Sequence, residues 1–156
     1  MRLLIVAVGR LRDAPEAQLA EDYVERAAAA GRKIGFRNVE IAEVESKPPG
    51  DPRAEAGAIY RSTPDDARRI LLDERGAEWT SRQLAEKLAR WRDDGVACAA
   101  FWIGGADGVS QSVKDNADEK LAFGRQTWPH RLVRVMISEQ IYRAMTILCS
   151  TPYHRD

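Results

Sequence analysis

Only two cysteines and two histidines occur among these 156 residues. Cys98 and Cys149 stand alone, with no paired-Cys or Cys/His spacing, so neither a disulfide framework nor a zinc site is expected. Long apolar runs are missing too, since nothing approaches the roughly 20 residues of a membrane span. The opening Met1–Val8 is too short for a signal peptide and lacks a small-residue cleavage site. These absences predict a cytoplasmic protein with no metal and no membrane partner. Net charge is lacking as well. The 24 basic and 24 acidic residues cancel, which on its face argues against a nucleic-acid partner.

The cancellation hides an uneven distribution. From residue 120 onward Lys120, Arg125, Arg131, Arg134, Arg143 and Arg155 face only Glu139 and Asp156, a net of +4 that leaves −4 for the first 119 residues. The chain is one domain's worth, 1–156, and a compact chain of this length removes roughly 70% of its extended surface from water. With 44% apolar residues it can build a core without covalent staples.

Apolar runs alternate with helical patterns. Leu3–Val8 reads as a buried strand ending at Gly9. Asp13 is the expected N-cap of a helix carrying Pro15 in its first turn and Glu16 behind it, with Leu19, Tyr23, Val24 and Ala27 at helical spacing up to Gly31. Val39, Ile41 and Val44 alternate as a second strand. The segment from Ser46 to Arg53, with three prolines and a glycine, is a loop and the segment most open to movement; a short helix from Ala54 to Arg61 follows. Ile70–Asp73 is a third strand, stopped by Gly76. Thr80 or Ser81 caps a helix with Leu84, Leu88 and Trp91 on one face. Val96–Ile103 is a fourth strand, Val109–Glu119 reads as helical, Phe123–Pro129 as irregular or a short strand, and Leu132–Leu148 as a long final helix. The alternation predicts an α/β fold, a largely parallel sheet with helices on both faces.

Three places could carry chemistry. Gly104, Gly105 and Gly108 cluster at a strand-to-helix turn, where backbone can approach a ligand, although a tight turn needing positive φ would look the same. The dinucleotide fingerprint is absent, because the first strand ends at a solitary Gly9. Leu72 and Asp73 close another strand, and ligands of open α/β sheets gather outside such strand ends, so Asp73 and the glycine turn could share a pocket; a carboxylate capping loop amides is the plainer reading. On the last helix Arg131, Arg134, Ser138 and Tyr142 fall within an arc of roughly 80° at about 100° per residue. That stripe follows Trp128, Pro129 and His130, and Glu139 can pair with Arg143 four residues on. A solvated stripe is the bland alternative. The helix is nevertheless apolar over most of its circumference and should pack against more than one neighbour, a second subunit included. The tail Pro152–Asp156 holds an aromatic, an imidazole and an arginine, able to stack on a base, handle a proton and hold a phosphate.

Taken together, Ile103-Gly104-Gly105, Pro129-His130 followed by Leu132-Val133-Arg134-Val135, Glu139-Gln140 before Tyr142-Arg143-Ala144, and the terminal Pro152-Tyr153-His154-Arg155 closely resemble one family. The chain is similar to the ribosomal RNA large subunit methyltransferase H family of the SPOUT superfamily, over its whole length. The resemblance implies a single SPOUT-type domain whose C-terminal segment threads a trefoil knot, with the cofactor-binding part spanning roughly 70–156. It implies a homodimer that transfers a methyl group from S-adenosylmethionine to N3 of pseudouridine 1915 of the 23S rRNA in the assembled ribosome. By the same resemblance Leu72, Gly105 and the run Gly124, Arg125, Gln126, Thr127, Trp128 would bind the cofactor, and Asp73, Gly104 and Pro129 join that set from the strand ends. The family usually carries Ser-x-Met-Thr-Leu-Pro-His where this chain has Gly124–His130, so Trp128 stands in place of a leucine.

Methyl transfer from a sulfonium needs no metal; it needs in-line placement and removal of the acceptor's proton. His154 is the candidate base, with Tyr153 and Arg155 beside it, and His130, Arg131, Arg134 and Tyr142 are the candidate RNA contacts. Two other readings remain open: a ribosome-associated RNA-binding protein that has lost catalysis, and a SPOUT enzyme acting on tRNA.

Overall fold

In a computed structural model of the chain, describing residues 1–155, five parallel strands form one sheet in the order β2-β1-β4-β3-β5. The strands are β1 (Arg2–Val8), β2 (Asn38–Val44), β3 (Arg68–Glu78), β4 (Cys98–Ile103) and β5 (Glu119–Ala122). Four α-helices connect them, α1 (Pro15–Gly31), α2 (Pro52–Arg61), α3 (Ser81–Asp93) and α4 (Gln111–Asp115), and α5 (His130–Leu148) follows β5. Asp156, the last residue of the expected tail, lies outside the described residues.

The central strands are apolar on both faces because both faces are covered, as parallel sheets require. Leu3, Ile5 and Ala7 of β1 with Phe101 and Ile103 of β4 pack beneath Leu88 and Trp91 of α3 and Ile137, Ile141 and Ala144 of α5. The alternate residues Leu4, Val6, Ala100 and Trp102 face Ala56 and Ile59 of α2 and Val113 of α4. Trp102, fully buried, donates its indole N–H to Thr63 Oγ1 at 2.9 Å, so its polar edge is satisfied. Thr80 caps α3 through a reciprocal box with Gln83.

Three local expectations are corrected. Asp13 does not cap α1: Ala14 occupies the cap position without a side-chain bond, and Asp13 takes a left-handed φ of 51°, a conformation its short polar side chain tolerates. The stretch from Val109 to Glu119 is not one helix. Only Gln111–Asp115 is helical, capped by Ser110, and Glu119 opens a fifth strand. Nor does β3 stop at Gly76. It runs on to Glu78 with an irregularity between Leu72 and Ala77, and both halves pair with β5. Gly76 is needed there because β5 passes so close that a Cβ would lie 2.6 Å from the Lys120 carbonyl carbon.

Candidate functional site

The irregular middle of β3, between Leu72 and Arg75, and the carboxyl ends of β4 and β5 open into one cavity of about 720 Å³, within the size range of small-molecule sites. Its floor is apolar, from Leu72, Ile103, Leu121, Phe123 and Val133. Its rim is polar, with Asp73, Glu74, Arg75, Asp107, Lys114, Thr127 and His130. The glycine turn after β4 forms one wall. Gly105 and Gly108 close it through a backbone bridge, Gly108 holds φ +78°, and a Cβ on Gly104 would sit 2.6 Å from Val109 and 3.0 Å from the Gly108 carbonyl. The turn is therefore glycine-dependent at two positions.

The opposite wall is the 123–129 segment, irregular as expected, which runs from β5 into α5. Two hydrogen bonds fix it. Thr127 Oγ1 donates to Glu74 Oε2 at 2.8 Å across the cavity mouth, and Trp128 Nε1 donates to the Phe123 carbonyl at 3.0 Å. Trp128 thus ties the loop to itself where the leucine would stand in the usual pattern, and its ring remains 40% exposed. Asp73 does two things at once. Its carboxylate accepts from the Arg75 amide at 2.8 Å, and it lines the cavity with Lys114 3.8 Å away. Behind the glycine turn Glu55 of α2 is pushed above the ordinary carboxyl range, first by burial and then by Asp107.

Nine of the ten expected cofactor residues (Leu72, Asp73, Gly104, Gly105, Gly124, Gln126, Thr127, Trp128 and Pro129) line this cavity, and only Arg125 does not. Arg125 is exposed on the outside of the loop. Sequence reasoning missed Glu74, Asp107 and Lys114; the first adjoins Asp73 and the second sits inside the glycine cluster, which was the available signal.

The stripe on α5 divides. His130 lines the cavity, with its pKa lowered by burial and then by the positive charges of Arg134 and Arg131. Arg131 is exposed. Arg134 is not an exposed RNA contact: it is 2% exposed, and its guanidinium donates to Glu43 Oε1 at 2.5 Å and to the Gly9 carbonyl at 2.8 Å. Ser138, also buried, donates back to the Arg134 carbonyl. The stripe turns inward because α5 crosses the ends of β1 and β2, where a carboxylate 91 residues away meets it.

Tyr142 belongs to a third grouping. Its ring lies 4.6 Å from that of Tyr153 and 6.1 Å from that of Tyr23. Tyr153 donates to Glu139 Oε1 at 3.0 Å, Arg143 lies over the Tyr153 ring at 4.7 Å, and the expected Glu139–Arg143 pair closes at 2.6 Å. His154 Nδ1 is 3.4 Å from Arg143 Nη1, and Arg155 is exposed. Burial first, then Tyr23 and Glu139, raise the Tyr153 pKa well beyond the usual phenol range, so Tyr153 stays protonated and acts as a donor. Tyr142 follows His130 by 12 residues, about 18 Å along the helix axis at 1.5 Å per residue. The tail therefore docks away from its own chain's cavity, and none of its described residues, 152–155, lines it.

Among the described residues no group of His, Cys, Asp and Glu could hold a metal ion, and no helix is long and apolar enough to cross a membrane.

A family model described as "Predicted SPOUT methyltransferase" matches residues 1–154. Proteins named ribosomal RNA large subunit methyltransferase H are similar over the full length. The one from Hyphomonas neptunium is 52% identical over 155 residues, 99% of each chain. The one from Phenylobacterium zucineum is 53% identical over 156 residues, 100% of each. Among solved structures, a probable methylase family protein from Haemophilus influenzae Rd KW20 shares the fold, with a TM-score of 0.52 at 13% identity over 99% of this chain and 70% of that one.

Proposed function

The chain belongs to the ribosomal RNA large subunit methyltransferase H family of SPOUT methyltransferases, and on that premise we propose that it methylates large-subunit rRNA. The acceptor in this reading is N3 of pseudouridine 1915 in the 23S rRNA of the assembled ribosome, and S-adenosylmethionine is the donor. The observation that carries the reading is the convergence of nine expected cofactor residues, drawn from β3, the turn after β4 and the loop after β5, on a single cavity.

The cavity suits the donor chemically. Apolar Leu72, Ile103, Leu121, Phe123 and Val133 fit a purine, the Gly104–Gly108 turn brings backbone close, and the carboxylates of Asp73, Glu74 and Asp107 complement the donor's ammonium and sulfonium groups. S-adenosylmethionine supplies an electrophilic methyl group when bound. The protein's share is then positioning and proton removal. Pseudouridine N3 is an imide nitrogen between two carbonyls, and its deprotonation spreads negative charge over both oxygens. His154 accepts that proton in this reading, Arg155 and Arg131 face the developing charge, and Tyr153, by donating to Glu139, anchors the tail that carries the base.

The tail docks on α5 rather than at its own cavity, so the tail of one copy is read as completing the cavity of another. The apolar recess between Leu19, Tyr23, Phe123, Val135 and Met136, with Leu132 exposed nearby, supports a homodimer through this side of α1 and α5. The knot implied by the family and a cytoplasmic location belong to the same reading. Incubating the protein with S-adenosylmethionine and ribosomes lacking the modification, followed by mass mapping of the rRNA, tests it: one added methyl on that pseudouridine is expected, and none would refute it.

A further inference from the structure

Arg134 of α5 and the turn after β1 share a single carboxylate. Glu43 Oε1 accepts from Arg134 Nη1 and also from the Leu11 amide at 3.0 Å, while Arg134 Nη2 holds the Gly9 carbonyl at 2.8 Å. Gly9 in turn donates its amide to the Val44 carbonyl at 2.9 Å and takes φ +88°. Three bonds therefore hold Gly9 and Leu11, on either side of Arg10, and a fourth joins Glu43 to Arg134, in a segment that has no helix or strand of its own. A buried guanidinium must be paired to be tolerated, and a turn bonded to both its partners moves little.

The pinned turn lies beside the cavity. Val8, the residue before it, is in contact range of the glycine wall, since a Cβ on Gly105 would meet Val8 Cγ1 at 3.4 Å. His130 and Val133, flanking Arg134 on α5, line the cavity directly. On either side of the clamp stands an exposed arginine that makes no ion pair among the described residues: Arg12, one residue past Leu11, and Arg131, one turn before Arg134. Arg131 is close enough to lower the pKa of both His130 and Arg134. Nearby Arg10 is instead engaged with Glu45 at 3.4 Å.

A guanidinium with no ion pair, carried one residue past the bonded Leu11, reaches a phosphate from backbone that is already ordered, so only its side chain has to settle on binding. We infer that the Glu43–Arg134 clamp fixes the Gly9–Asp13 turn as an RNA-docking rim of the cavity, on which Arg12 contacts a backbone phosphate beside Arg131. Glu43 and Arg134 are positioning residues in this scheme, and Arg12 is the contact. The inference rests on the RNA-methyltransferase reading for its partner, and its test does not depend on turnover.

The experiment is a salt titration of binding to ribosomes that lack the modification, for the full-length protein, Arg12→Gln, Glu43→Gln and the double variant. Arg12 is exposed and its side chain makes no hydrogen bond or ion pair among the described residues, so Arg12→Gln should keep the fold. It should weaken binding roughly fivefold at about 0.15 M salt and reduce the slope of log affinity against log salt by just under one. Arg12→Lys should restore most of the slope. Glu43→Gln should also weaken binding, and adding Arg12→Gln to it should cost clearly less than Arg12→Gln alone, because the arginine is then no longer held in place. An unchanged slope for Arg12→Gln, or strict additivity in the double variant, overturns the inference. A wild-type protein that binds these ribosomes with the predicted slopes yet transfers no methyl group refutes the functional reading and leaves the docking rim standing; one that does not bind ribosomes at all overturns the rim.

Discussion

Tyr153 and Glu139 are joined by a 3.0 Å hydrogen bond that folds the C-terminal tail back onto α5. The same carboxylate holds Arg143, so one acidic side chain organises the aromatic and basic ends of the motif. Among the described residues no tail residue lines the cavity of its own chain, so in the proposed scheme cofactor binding and tail function are separable. Deleting Tyr153 to Asp156 should abolish methyl transfer while changing S-adenosylmethionine affinity, measured by calorimetry, by less than about twofold. Turnover that survives the deletion would remove His154 from catalysis.

Gly76 makes a second prediction. A methyl group there would press on the backbone of Lys120 and Leu121, which cannot rotate away as a side chain could. Gly76→Ala should cost about 3 kcal/mol in denaturant unfolding, at the upper end of overpacking costs. Loss below ~1 kcal/mol would mean that β5 sits less tightly than described.

The glycine wall gives an internal contrast. At Gly104 an added Cβ meets Val109 at 2.6 Å, whereas at Gly105 it meets Val8 and Glu55 only at ordinary contact distances. Gly104→Ala should therefore destabilise by about 1–3 kcal/mol and weaken cofactor binding at least tenfold, while Gly105→Ala should cost less than ~1 kcal/mol of stability. Equal stability losses would contradict the geometry of the turn.

His130 sets a pH dependence. Burial and two neighbouring arginines lower its pKa in the folded state, so the unfolded chain takes up a proton first as pH falls. Stability is then unaffected above the unfolded value of about 6.5 and declines as pH drops through it, levelling off below the folded value. A His130→Asn variant should lose this part of the acid sensitivity in thermal unfolding between pH 7 and 5. An unchanged pH profile would show that His130 is not held neutral.

The parts of this protein legible in its sequence are those whose signals are local. β1 and β4 announce themselves as uninterrupted apolar runs, the start of α3 as Thr80 or Ser81 ahead of an apolar face, and the cavity walls as glycines and an acid at strand ends. β5 was not legible, because Glu119-Lys120-Leu121-Ala122 has neither length nor alternation; its strand state comes from pairing with β3. Arg134 was legible as part of a helical stripe but not as a buried group. Periodicity places a residue on a helix face and says nothing of Glu43, which reaches that face from another strand. The tail's docking on α5 was equally hidden, since Tyr153 finds Glu139 only once α5 has formed.

The central claim is that this cavity and this tail together methylate a ribosomal pseudouridine. The most direct measurement is transfer of a labelled methyl group from S-adenosylmethionine to unmodified ribosomes, with the product nucleoside located by mass spectrometry. One label at N3 of pseudouridine 1915, absent from free tRNA and lost on removing the tail, is the predicted result. Tight cofactor binding with no label on the ribosome, or label on tRNA instead, would contradict it.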